Sequence, residues 1–487
     1  MDRKDRGITI GLCFYRSSLG FGGLLLVGLL IGSVQAQRQS FSPQESVGTD
    51  CRRPPALNPE LFPSEVLPLL DQTEVNCFAW QEFLSLNWIA SSEKRGKPDV
   101  GTGSSEFGQP GDLRPLVWQT YKNVEEVFLP GAKVPSPWEQ RGDGDALDQC
   151  RSLVSREKFH LSLLHETNQA GVPPPSWLVG QNGKKVFFEI YINRDMFEFI
   201  LEHKFYNAQH QYLAVQDGGP GINAPAGRTR YGHEGAVEIK AAWIEIDDPA
   251  LWSRFKMSDA IVYDPTTSSP CRKVRVGLVG LHIIHKTPTA PQWIWATFEQ
   301  VDNAPDHRDV HSRQFRPYYT FYNPRCGPPS SPACEVNRKP VCDTSNACTP
   351  FHPIQVVRET PLAQEVRSLN ARVHQAIRSA NPDSVWQYYD LVNVMWPGSS
   401  QPIRAGAKVP LANGGVQPTI LANTVIETYV QTGAGKKNCL DCHAYAAIAP
   451  TVSDPSPRWG ADYSFVFAKA CDPTLLAEQC HPTVKGK

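Results

Sequence analysis

The sequence predicts an α+β fold, a large mixed domain around a central, mostly antiparallel sheet, with a small helical segment at its C-terminus. Three observations carry that expectation. Residues 236–246, 273–285 and 292–300 are β-type runs, and the last two are separated only by a Thr/Pro turn, as neighbouring strands would be. Residues 361–380 repeat Leu362, Val366, Leu369, Val373 and Ile377 on one helical stripe. The chain of 487 residues also holds 36 Gly and 42 Pro, which calls for long loops between these elements. With 12 Trp, 21 Phe and 15 Tyr it has ample apolar surface for a core, so disorder is excluded. A formal net charge of -1 argues against a nucleic-acid partner.

Taken in order, residues 1–36 read as an export signal. Arg3, Lys4 and Arg6 precede an apolar run of about 14 residues at 19–32, and Val34-Gln35-Ala36 offers a small-residue cleavage site. A spanning helix wants ~20 apolar residues, so a cleaved leader is expected rather than an anchor. No later stretch approaches that length. The mature chain is therefore expected to have no membrane span and to reside in an exported, periplasmic or extracellular compartment, where disulfides persist.

Residues 37–400 are expected to form the large, loop-rich α+β domain. Its lead-in to residue 60 is Pro-rich, and a buried helix is predicted over 76–90. Loops follow at 93–115 and 131–148, then a strand at 184–192, a helix over about 194–205 and a surface loop at 214–232. The apolar run 276–284 suggests a central strand covered on both faces. Residues 323–353, with Cys326, Cys334, Cys342 and Cys348, hold too few apolar groups for a core, so cross-links should hold them. Thr360 is placed as N-cap and Pro361 as first residue of the striped helix, which Asn381-Pro382 ends. A strand is predicted at 385–396. Residues 401–487 form the last unit, a Gly/Pro-rich linker to 418, a short helix over 421–431, and then the motif that carries chemistry.

Cys439, Cys442 and His443 make C-x-x-C-H, the c-type haem attachment signature. Two thiols three positions apart occupy one helical turn, and each can add across one vinyl group of a haem. The histidine that follows lies under the ring and offers a nitrogen to iron. With 13 Cys and 13 His in 487 positions, chance supplies this triplet on the order of once in a hundred chains. A thioredoxin-type disulfide would want a βαβ setting, which the pattern lacks. A zinc site would want a second ligand pair at similar spacing, and Cys471 and Cys480 are too far apart.

On these residues the C-terminal segment resembles a mono-haem c-type cytochrome unit. That resemblance implies one covalent haem c, with Cys439 and Cys442 as thioether attachments and His443 as the proximal iron ligand. The strings GLVGLHIIHKT, PQWIWATFEQVDN and LANTVIETYV are similar to those of large exported bacterial proteins of the cytochrome c family, a likeness that spans most of the mature chain and names no reaction.

Small cytochromes c take a downstream methionine as sixth ligand. Here Met1, Met196, Met257 and Met395 all precede Cys439. The distal candidates are therefore His282, His285, Met395 and His481. His282 and His285, three apart on a strand, point to opposite faces, so at most one can reach a haem; a hydrogen-bonded core role is the alternative for each. Met395 suits core packing equally well, and Cys480 beside His481 suits a disulfide. His307 and His311 are expected in an exposed loop. Apart from the attachment pair and Cys13, ten cysteines remain for up to five disulfides, with bonds inside 326–348 the first expectation. Asp143 and Asp145, in the Arg141–Asp145 run, lack a full Ca²⁺ pattern.

No catalytic acid–base pair stands out. The leading expectation is one-electron transfer to a redox partner protein. A haem-dependent oxidoreductase of peroxidase or oxygenase type with an open distal site is the alternative. A binding protein with a structural or sensing haem is the third.

Overall fold

The computed structural model describes residues 55–66, 71–140, 150, 162–167, 177–216, 219, 221–264, 269–326, 334–342, 348–349, 353–396, 418, 420–431 and 438–475. The expected signal at 1–36, the acidic run at 141–145, most of the linker at 400–418, and Cys480 with His481 lie outside the described residues.

The strands are β1 (Lys122–Asn123), β2 (Ser162–Leu164), β3 (Val186–Ile192), β4 (Val237–Glu245), β5 (Met257–Tyr263), β6 (Cys271–His285), β7 (Ile294–Gln300), β8 (Val341–Cys342), β9 (Cys348–Thr349) and β10 (Tyr389–Met395). Eight of them form one curled sheet in the order β1-β3-β4-β6-β5-β2, with β7 against β6 and β10 against β7, while β8 and β9 pair apart. Every pairing is antiparallel except β2 with β5. The mixed, mostly antiparallel sheet expected from sequence is therefore present.

The sheet curls because β6 serves three neighbours. β4 pairs with Val276–His285 along one edge. Along the other edge β5 takes Cys271–Gly277 and β7 takes Gly280–His285. The continuous apolar run of β6 fits this position, since its second half is covered on both faces.

The helices are α1 (Gln72–Leu86), α2 (Arg194–His203), α3 (Ala208–Val215), α4 (His307–Ser312), α5 (Gln364–Ala380) and α6 (Cys439–His443). α1 and α5 cover one face of the sheet. Asp71 caps α1 by accepting from the Thr73 amide at 2.8 Å. Within the core Phe83 lies 4.5 Å from Phe298, 5.1 Å from Trp80 and 5.3 Å from Trp386 between ring centroids. Asn370 of α5 accepts from the Trp80 indole at 2.9 Å and donates to the Leu391 carbonyl at 3.0 Å, which ties both helices to β10.

Several boundaries differ from expectation for physical reasons. α1 begins four residues earlier than 76, at the Asp71 cap. α5 begins at Gln364 rather than Pro361, because Ala363 is the extended N-cap residue and the Leu362 carbonyl accepts from Arg367 Nε at 2.8 Å. Val385–Tyr388 is a 3₁₀ turn that leads into β10. The expected helix over 421–431 is absent, with only a 3₁₀ turn at Thr428–Val430. That stretch is rich in β-branched residues, and its polar side chains bond to the sheet instead. His307 and His311 sit on α4, exposed, with rings 4.3 Å apart. β5 and α3 carried no signal strong enough to be predicted.

Disulfides join Cys150 to Cys271 and Cys326 to Cys334, and Cys77 and Cys471 are disulfide-bonded as well. The second bond falls inside the cysteine-rich stretch, as expected. Among the described residues no helix is long and apolar enough to cross a membrane.

The Cys150–Cys271 bond spans 121 residues and pins the start of β6. The Cys150→Ala/Cys271→Ala variant is expected to lose about 2–5 kcal/mol of stability, read as a lower urea midpoint than wild type. An unchanged midpoint would show that this tie contributes nothing.

Candidate functional site

The sheet face away from α1 and α5 is covered by residues from 421–431 and 438–475, which have little regular structure. Asn423 donates to Thr297 Oγ1 and to the Phe298 carbonyl, both at 2.9 Å, and the Thr424 hydroxyl donates to Glu299. Gly280 of β6 permits this approach, since a Cβ there would meet Asn423 Oδ1 at 3.3 Å and Ile426 at the same distance.

On this layer sits α6, five residues that contain the whole C-x-x-C-H motif. So short a helix holds its shape through its capping box. The Asn438 side chain accepts from the Asp441 amide at 3.0 Å, and the Asp441 carboxylate accepts from the Asn438 amide at 3.2 Å. Cys439 and Cys442, both half-buried, are reduced thiols. Desolvation, with the Glu427 carboxylate nearby, pushes the Cys439 thiol well above its ordinary range.

His443 closes the motif. Its Nδ1–H donates to the Tyr463 carbonyl at 2.8 Å. A carbonyl can only accept, so the proton sits on Nδ1 and Nε2 keeps its lone pair. The ring lies 4.5 Å from Trp295 and 4.9 Å, edge-on, from Phe465. Desolvation pushes its pKa down to about 4, with the Lys240 and His282 charges adding to the effect. At neutral pH this imidazole is uncharged and oriented.

The accepting carbonyl is itself held. Asp462 and Tyr463 both adopt left-handed backbone, at φ 52° and 63°, which costs roughly 1–3 kcal/mol per residue and persists only where surroundings enforce it. Here they do. Asp462 Oδ2 accepts from Lys286 Nζ at 2.5 Å and from the Ala224 amide at 2.8 Å. The Asp462 carbonyl accepts from the Trp293 indole at 2.9 Å, and Ser464 donates to Glu238 at 2.5 Å. Lys286 and Asp462 are each about 1% exposed, a fully buried ion pair. Three points of the sheet thus hold the carbonyl that orients His443.

Next to the motif lies a charged group. His282 of β6, Lys240 of β4 and Thr297 of β7 share one face by register, the face that also carries Trp295. His282 Nε2 stands 3.5 Å from Glu427 Oε2. Burial works against the charge of Glu427, yet His282 and Lys240 hold its carboxyl below the usual range.

The other sequence candidates separate clearly. His285 points to the opposite face, as the strand period requires. Its Nε2–H donates to the Glu234 carbonyl at 2.8 Å and its Nδ1 meets Glu82 at 2.6 Å, so both ring nitrogens are engaged in the core. Met395 is fully buried at the end of β10 as the cross-strand partner of Trp295, so it shares that face but packs in the core. Trp295, Phe465, Tyr463, Asp462, Lys286, Lys240 and Glu427 were not singled out by sequence, and the carbonyl of Tyr463 has no sequence signal at all.

These residues fit a haem c. The reduced thiols share a single turn, the neutral histidine keeps its Nε2 lone pair, and aromatic rings flank it. Among the described residues no group of three or more His, Cys, Asp or Glu is arranged for a bare ion. No protein-family model, curated protein or solved structure matches the chain.

Glu238 is buried, and desolvation raises its pKa to about 7, which Ser464 only partly offsets. The native carboxyl therefore holds its proton up to about pH 7, whereas the unfolded one releases it near its ordinary value of 4.5. Stability is lost as pH rises through that window, by on the order of 3 kcal/mol for this group. Glu238→Gln should flatten the fall in stability between pH 5 and pH 8, measured by urea unfolding at each pH. An unchanged slope would rule this group out as its source.

Proposed function

We propose that this chain is an exported mono-haem c-type cytochrome, similar in kind to large bacterial cytochrome c family proteins, that carries single electrons. The observation that carries the proposal is the His443 Nδ1–H bond to the Tyr463 carbonyl at 2.8 Å, directly after two reduced thiols on the same turn. It leaves Nε2 as the ligating atom on an uncharged ring. When bound, the group would supply a one-electron iron couple at a potential set by its ligands and burial.

The protein's own contributions follow from the site. Cys439 and Cys442 would hold the ring covalently, so the segment needs no deep enclosing pocket. His443 would present Nε2, with the Tyr463 carbonyl fixing its tautomer and raising its basicity. Trp295, itself buried, packs against one side of the imidazole. Asp462 and Lys286 hold the carbonyl still, so the ligand would keep one orientation in both redox states, which keeps reorganisation small. The disulfides support the exported setting.

The test is expression of the full chain in a host able to attach haem c. The expected product is red, shows a c-type spectrum on reduction, keeps its haem through denaturation and titrates reversibly as a one-electron couple. Cys439→Ala/Cys442→Ala should lose covalent attachment while the disulfides still form. A colourless wild-type protein from such a host would overturn the haem proposal. A haem that is attached but cannot be reversibly reduced would overturn the electron-carrier role.

A further inference from the structure

One imidazole nitrogen beside the motif is left over. His282 Nε2 is buried and, among the described residues, has no hydrogen-bond partner. Its ion-pair partner Glu427 Oε2 lies at 3.5 Å, too long for a good hydrogen bond. The Glu427 carboxylate is occupied elsewhere, accepting from the Asn423 amide at 2.9 Å. A buried imidazole nitrogen without a partner is uncommon, because burial removes its water and nothing replaces it.

We propose that His282 is the second protein ligand to the iron, which would make the centre bis-histidine. This rests on the haem reading above. The register supports it. His282 is the cross-strand partner of Thr297, two residues along β7 from Trp295, whose ring lies 4.5 Å from His443. Residues two apart on a strand share a face, so His282 belongs to the face on which His443 rests. The turn that contains Asn423 and Glu427 touches both Thr297 and His282. His285 and Met395 lack this need for a partner, and His481 lies outside the described residues. His285 points to the opposite face with both nitrogens engaged, and a thioether such as Met395 is a weak acceptor that sits in a core at little cost. Glu427 is a positioning residue whose charge would favour the oxidised iron.

The experiment uses the haem-loaded full chain, read by ferric electron paramagnetic resonance and by the visible spectrum. Wild type is expected to be six-coordinate, low-spin and unreactive to CO. His282→Ala should lose the low-spin signal, gain CO binding, and recover low-spin character when imidazole is added. His282→Met should exchange the bis-imidazole signature for a His–Met one with a higher potential, a change that a merely structural histidine would not produce. Met395→Leu should keep the wild-type spectrum, and Glu427→Gln should keep the low-spin signal at a raised potential.

A haem-loaded His282→Ala protein with an unchanged low-spin spectrum would overturn the assignment. So would a wild type that binds CO readily, or a Met395→Leu protein that turns high-spin. If His282→Ala does not fold, the His282→Met spectrum and the Glu427→Gln potential decide. A colourless wild type would instead bring down the haem reading itself.

Discussion

The buried Lys286–Asp462 ion pair ties the two halves of this protein together. One partner directly follows the longest strand, and the other belongs to the C-terminal layer. Two charges removed from water carry a large desolvation cost, which is recovered only when geometry and extra hydrogen bonds are good. Both conditions hold, since Lys286 also reaches Asn223 at 2.6 Å and Asp462 also takes the Ala224 amide. The left-handed pair at Asp462 and Tyr463, the direction of the Tyr463 carbonyl and the orientation of His443 all follow from this anchor.

Beyond that pair, the two covers of the sheet work by different means. α1 and α5 bury aromatic and aliphatic side chains in the ordinary way of an α+β core. The opposite cover has few helical turns and spends its polar side chains on the sheet. Asn423, Thr424 and Ser464 satisfy backbone and carboxylate groups of the sheet. An irregular layer made this way is specific, because each polar atom must find its own partner. It can also place a carbonyl or an imidazole where no helix or strand would.

Legibility from sequence followed the same division. Period-two runs located β4, β6 and β7, and the apolar stripe located α5, because those elements are set by burial of one face. The C-x-x-C-H spacing located the motif, because it is local. The start of α5 was misplaced because Pro361 suits both a first helical turn and an extended approach. The stretch over 421–431 reads as a helix from sequence but folds as an irregular turn, since side-chain bonding to a distant strand leaves no periodic trace. His282 was legible as a candidate, but its choice over His285 needed the register and the hydrogen bonds of the folded chain. Asp462 and Lys286 lie 176 residues apart, and nothing local marks either as a support for His443.

The state of the thiols has a consequence for how the chain matures. Disulfide exchange proceeds through the thiolate, so a thiol whose ionisation is suppressed reacts slowly. Cys439 is such a thiol once the C-terminal layer has settled, while six other cysteines are already bonded. In the folded chain the suppressed ionisation of Cys439 therefore slows its exchange with a disulfide. In an oxidising compartment, a docked C-terminal layer would make Cys439 a slow partner for exchange.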